Sequence, residues 1–232
     1  MLLLLYLFII VYWLIVNKSD SKSVNTYITL TGLAVFLICG LRNEAIYGDT
    51  IHYCKAFDEL KDYSFYQIRM EWPKDPFFYI FTRIMHPFFL HSYTGWLLFI
   101  AAVYIIPVTR LIRKYSPDPM ISWVCFIYLG LFTFSMAGLR QTIAMGILLF
   151  GFLSLCKGKQ WHFFICLLLA YLFHGTSLIF AIVYPFVRWK WKFSTKMLWI
   201  YMIAIVMAIM IGYTFLHSLT AILGESDMRY IE

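Results

Sequence analysis

Arg140 is the only charged residue between Met120 and Cys156. A guanidinium cannot shed its proton to escape an apolar setting, and it presents a planar fork of N–H donors matched to two oxygens of a phosphate. Arg42, at the end of another apolar run, carries the same fork. Two such groups suit a pyrophosphate at a membrane surface. His174, within "LAYLFHGTSLIF", is of the residue type that takes or gives a proton near neutral pH, and Gly175 beside it permits a backbone break. Glu44, Asp49 and Asp75 bring carboxylates from one polar stretch, with Asp49 in the turn-like "YGDT". Together these types can hold an anionic leaving group on arginine and remove a proton through His174 or, second, Asp49. Each also has a plainer use. Arg140 can snorkel to an interface, Arg42 can anchor a helix end, His174 can be a packing residue, and the acids can form a solvated face.

The elements that must position these side chains follow from composition. Of 232 residues, 62% are hydrophobic and 13% charged, and mean hydropathy is +0.76. That is too apolar for a water-soluble globule and implies an all-α, polytopic integral membrane protein. Apolar runs at 1–16, 24–41, 93–112, 120–137, 139–156 and 197–216 predict about six transmembrane helices, with 120–156 as a hairpin. The first run lacks the basic flank and cleavage site of a signal peptide and is expected to remain as a helix. Residues 42–75 hold seven of the twelve acids and form one polar module outside the membrane. After it, "PFFYIFTRIMHPFFL" spaces Phe77, Phe78, Phe81, Ile84, Met85 and Phe88 for one face of an interfacial helix. No repeat or linker divides the chain, so 1–232 is expected to be a single transmembrane domain. The five cysteines show no metal-ligand spacing, and no metal or cofactor is expected. The formal charge of +7 sits in short clusters beside apolar runs, which reads as topology and not as a nucleic-acid surface.

Those clusters orient the chain. With the N-terminus outside, Lys18 and Lys22 fall inside, the 42–75 module outside, Arg110, Arg113 and Lys114 inside, Arg140 at an outer turn, and Lys157 and Lys159 inside. A single crossing by 161–187 would then put the very basic "RWKWKFSTK" outside. A re-entrant hairpin broken at "HGTS", with halves of about 13 residues or roughly 20 Å, removes the conflict. His174 then lies at its tip, below the outer module.

In order, "GLRNEAIYGDTIHYCKAF", "WPKDPFFYIFTRIM", "MAGLRQTIAMGI" and "LAYLFHGTSLIFAIVYP" resemble the EpsG-like family of exopolysaccharide polymerases, a branch of the Wzy-like envelope polymerases. By that resemblance Arg42, Asp49 and Tyr53 match the family's first element, Asp75 and Pro76 the second, Arg140 and Gln141 the third, and His174 the fourth. Similar proteins often have glutamate where Asp75 stands, and they are usually longer. The resemblance implies a plasma-membrane, multi-pass polymerase that joins polyprenyl-pyrophosphate-linked oligosaccharides at the outer face. Its partners would be that lipid-linked substrate, the bilayer and other polysaccharide assembly proteins. Arg42, Arg140, Gln141, Tyr53 and Asp75 would bind substrate, with His174 or Asp49 as base and Tyr47, Tyr53, Tyr63 and Trp72 as sugar-stacking faces. A flippase, an envelope glycan ligase and a non-catalytic assembly partner remain alternatives on the same residues.

Overall fold

The computed structural model describes residues 2–43, 46, 48–89, 92–188, 195, 198–203, 206–207 and 210. Glu44, Tyr47, all of the basic cluster 188–196 except Arg188 and Thr195, and most of the expected span 197–216 lie outside the described residues. Among the described residues every regular element is a helix.

Helices α1 (Leu2–Ile15) and α2 (Ser21–Gly40) form a hairpin, because Asp20 caps α2 by accepting from the N–H groups of Lys22 and Ser23. The Tyr27 hydroxyl crosses the pair to donate to the Ile9 carbonyl at 3.1 Å. The polar stretch is helical as well. It contains α3 (Gly48–Glu59) and α4 (Phe65–Glu71), the latter opened by a capping box of Ser64 and Gln67. Next comes α5 (Pro76–Met85) with a 3₁₀ turn, His86–Phe89. Ten residues, roughly 15 Å, cannot cross a bilayer core of about 30 Å. The predicted apolar face is only partly the one used. Phe78, Tyr79 and Thr82 are buried and Phe77 and Phe81 meet Phe173, while Ile84 and Phe88 stay exposed.

The central layer is α2, α6 (Tyr93–Tyr115) and α9 (Leu139–Leu155). Gly146 of α9 sits against the α6 backbone, where an added Cβ would overlap the Val103 carbonyl. Small residues allow this close approach between membrane helices. Between them, the run expected as one span over 120–137 is broken into α7 (Pro119–Tyr128) and α8 (Leu131–Ala137), bent by 48°. Gly130 makes the break at φ 78, a conformation glycine adopts without steric cost.

After α10 (Gln160–Phe173) the chain is extended at His174 (φ −157, ψ 116) and turns back through a 3₁₀ helix, Gly175–Ile182, into α11 (Val183–Arg188). The return is antiparallel: Phe180 and Tyr184 both lie over Phe163, and the Tyr184 hydroxyl donates to Gln160 Oε1 at 2.7 Å. The break at "HGTS" and the hairpin are therefore present, with a largely 3₁₀ return limb in place of a second α half-helix.

Helices α2 and α6, with 20 and 23 residues, are long and apolar enough to span, and α7 with α8 make a third if the bent pair is one crossing. The helices α1, α9 and α10 have 14, 17 and 14 residues, about 21 to 26 Å. Among the described residues, five of the six expected runs are thus represented by two or three full-length spans and several shorter apolar helices, and most of the sixth, 197–216, lies outside them. Their outer faces leave Leu3, Leu14, Ile15, Leu168 and Ile179 widely exposed. Contiguous apolar surface of this kind needs lipid, and the chain is a membrane protein.

Candidate functional site

The site is organised by Asp75, which ends the polar stretch and precedes α5. An aspartate at that position ordinarily turns its carboxylate onto the first N–H groups of the helix. Asp75 makes no such bond, and at φ 56 it is the one non-glycine residue with positive φ among the described residues. Such a conformation costs about 1–3 kcal/mol and is held by surrounding contacts. Those contacts are with two distant segments. Oδ2 accepts from Arg140 Nη1 at 3.2 Å and lies 3.0 Å from His174 Nδ1, and Oδ1 accepts from the Gly175 N–H at 3.4 Å.

Arg140 stands in the first turn of α9, where the helix dipole disfavours a cation. Its neighbours offset this: Nε donates to the Tyr53 hydroxyl and Nη1 to the Lys74 carbonyl, each at 3.2 Å. Nη2 makes no hydrogen bond among the described residues, so part of the fork remains for a ligand. A carboxylate only accepts, so its contact with His174 selects the Nδ1–H tautomer and leaves the Nε2 lone pair to receive a proton. The Arg140 and His174 side chains are mostly shielded, at 20% and 14% exposure. That shielding strengthens their electrostatics relative to open water.

Arg140 also lines a polar cleft of about 440 Å³. One face of α3 supplies Asp49, His52, Tyr53 and Ala56, at the i, i+3, i+4, i+7 positions of a helix. Opposite are Glu71 and Trp72, with the Trp72 ring stacked on Tyr79 at 4.9 Å and tilted against Tyr63 at 5.4 Å. Burial pushes the Tyr79 phenol up to about 12, so it stays a protonated donor at neutral pH. Carboxylates that accept from hydroxyls and aromatic faces that pack on C–H surfaces are the chemistry of a sugar site.

Of the residues singled out in the sequence, Tyr53, Asp75, Arg140 and His174 are joined by hydrogen bonds, and Asp49 lies in the adjoining cleft. Gln141 is next to Arg140 but faces a separate apolar groove that His174 also lines. Arg42 is placed elsewhere. It is buried, donating to the Cys39 carbonyl and, at 2.8 Å, to the Met136 carbonyl, so it binds the C-terminal ends of α2 and α8. A cation there complements both helix dipoles. His52, Lys55, Glu59 and Glu71 line the cleft without having been singled out. The i, i+3 spacing of Asp49 and His52 was the available signal, hidden because 42–75 reads as a polar module and not as helices.

No curated protein and no solved structure was found that matches the chain. The EpsG family model matches residues 25–232, most of the 232-residue chain, and the chain belongs to the EpsG family.

Proposed function

We propose that this chain is an exopolysaccharide polymerase that transfers a growing glycan from polyprenyl pyrophosphate to a hydroxyl of a second lipid-linked repeat unit, at the outer face of the plasma membrane. Membership of the EpsG family supports the polymerase reading. The observation that carries the mechanism is the single carboxylate oxygen of Asp75 shared by Arg140 and His174. In the proposed step the acceptor hydroxyl gives its proton to His174 Nε2 while its oxygen bonds to the anomeric carbon of the donor. The anomeric C–O bond to pyrophosphate breaks, and the lipid pyrophosphate leaves with the electron pair. Arg140 stabilises the charge that develops there. Asp75 holds the imidazole in the accepting tautomer and offsets the positive charge it gains. The cleft beside Arg140 takes sugar residues, with Trp72, backed by Tyr79, as a stacking face and Asp49 and Glu71 as hydroxyl acceptors. Asp49 is the second candidate for the base, and Arg42 keeps the helix ends together beneath the site.

One observation favours a second reading, export of the lipid-linked unit. Among the described residues two apolar segments are broken, at Gly130 and His174, and paired broken helices are a feature of transporters. The two readings part in cells. Loss of long chains with repeat units still exported supports the polymerase, and repeat units trapped on the inner face support export.

The direct test is His174→Gln, which keeps a polar side chain of similar reach but removes the titrating group. General-base assistance contributes about 10² to 10⁴ in rate, so chain extension in membranes is expected to fall by that much with donor binding retained. Extension within a few-fold of the parent, with the same pH profile, removes His174 from the mechanism.

A further inference from the structure

We infer that the apolar groove beside His174 holds the first part of the hydrocarbon chain of the lipid-linked donor. This rests on the proposed glycosyl transfer and adds to it where the lipid lies. The groove encloses about 410 Å³ between α9 and the return limb of the hairpin. Gln141, Met145 and Leu148 lie along one face of α9, and Ile179 and Phe180 form the opposite wall. From Gln141 to Leu148 is seven residues, about 10 Å along the helix.

Polarity changes along the groove. His174, Thr176, Ser177 and Gln141 are its polar members, and the first and last of these adjoin Gly175 and Arg140. The remaining lining is aliphatic or aromatic and carries no charge. An amphiphile whose anion lies on Arg140 would therefore pass His174 and run down α9 with its hydrocarbon. The joint between the two parts is the Asp75 oxygen that contacts both Arg140 and His174. A pyrophosphate is covalently joined to its lipid, so a chain binding it at Arg140 must place the first hydrocarbon units within one or two helical turns. Among the described residues this groove is an apolar space that begins beside Arg140, at Gln141, and exposed Ile179 and Phe134 leave its side open to lipid.

The experiment uses the full chain in phosphatidylcholine nanodiscs and a polyprenyl monophosphate bearing a diazirine in its first isoprene units. Crosslinks are expected within 134–148 and 174–182, competed by unlabelled polyprenyl pyrophosphate and not by phosphatidylglycerol. Filling the groove with Met145→Trp or Ile179→Trp is expected to weaken that competition about ten-fold or more, because several buried methylenes lose their place. Leu168→Trp, on an exposed position of α10 outside the groove, is expected to have no effect. Crosslinks elsewhere, equal competition by phosphatidylglycerol, or unaltered competition in both groove variants would each overturn the assignment. The proposed transfer is judged separately, by turnover of His174→Gln. If that turnover collapses while the groove variants compete normally, the groove assignment alone fails. If turnover persists, the underlying mechanism fails.

Discussion

At the residue scale, Asp75 is the point on which the site turns, because one carboxylate oxygen serves both a guanidinium and an imidazole. Asp75→Asn tests this with little change in size. An amide can still accept from Arg140 and His174 through its C=O, but it turns an N–H toward the Gly175 N–H and carries no negative charge to offset the positive charge that His174 gains. Chain extension is expected to fall about 10² or more while donor binding changes little, and a variant within a few-fold of the parent would reduce Asp75 to a structural contact. Arg42 separates from Arg140 by the same reasoning. Arg42→Met removes the guanidinium donor from the Cys39 carbonyl and leaves the Met136 carbonyl with the Thr50 hydroxyl alone, and a buried group left unsatisfied costs about 1–3 kcal/mol. A lower melting temperature, with near-parental turnover per folded molecule, is the expected result. Parental stability with lost turnover would return Arg42 to substrate binding. Arg140 and His174 were legible in the sequence because a charge and an imidazole in apolar runs are costly to keep there. Their junction was not. "DP" before a helix reads as an ordinary N-cap with proline at the first position, and only the left-handed turn at Asp75 sends the carboxylate to the site.

At the element scale, helices are placed by small residues and by breaks, and these differ in how far sequence reveals them. The hairpin at His174 could be read because a single crossing would have carried a basic cluster to the wrong side. The break at Gly130 could not, since one glycine in "YLGLF" is common in membrane helices and nothing around it is polar. Gly146 was equally silent, because its role depends on which helix it meets. There the α6 backbone leaves no room for a Cβ, so Gly146→Val must push α9 away from Val103. Overpacking of this kind costs about 1–3 kcal/mol. Because α9 carries Arg140, both thermal stability and chain extension are expected to drop. An unchanged melting temperature would show that the two helices are not in contact there.

At the scale of the whole molecule, the short lysine- and arginine-rich turns gather at one end. Arg113 Nη2 donates to Thr29 Oγ1 at 2.8 Å in the first half of α2 and shares a groove with Ser21 and Lys22, and the Arg110 guanidinium lies over Phe150 near the end of α9, 5.5 Å from the ring centroid. The end of α6, the start of α2 and the end of α9 therefore share one side, along with Lys18, Lys22, Lys157 and Lys159 in the adjoining turns. The site gathers at the opposite side with Asp49, Glu59, Glu71 and Asp75. Short loops rich in lysine and arginine stay in the cytoplasm, which would face the site outward, where a lipid-linked glycan would be extended. This gathering was readable from loop charges alone, whereas the lengths of the helices within the apolar runs were not, since α1 and α9, with 14 and 17 residues, fall short of the bilayer core. The orientation is tested by single cysteines placed at exposed Lys61 and Lys157 in a variant lacking the five native ones. An impermeant maleimide is expected to label position 61 in intact cells and position 157 only after permeabilisation. The reverse pattern would turn the site toward the cytoplasm, and an exopolysaccharide polymerase acting at the outer face would then be untenable.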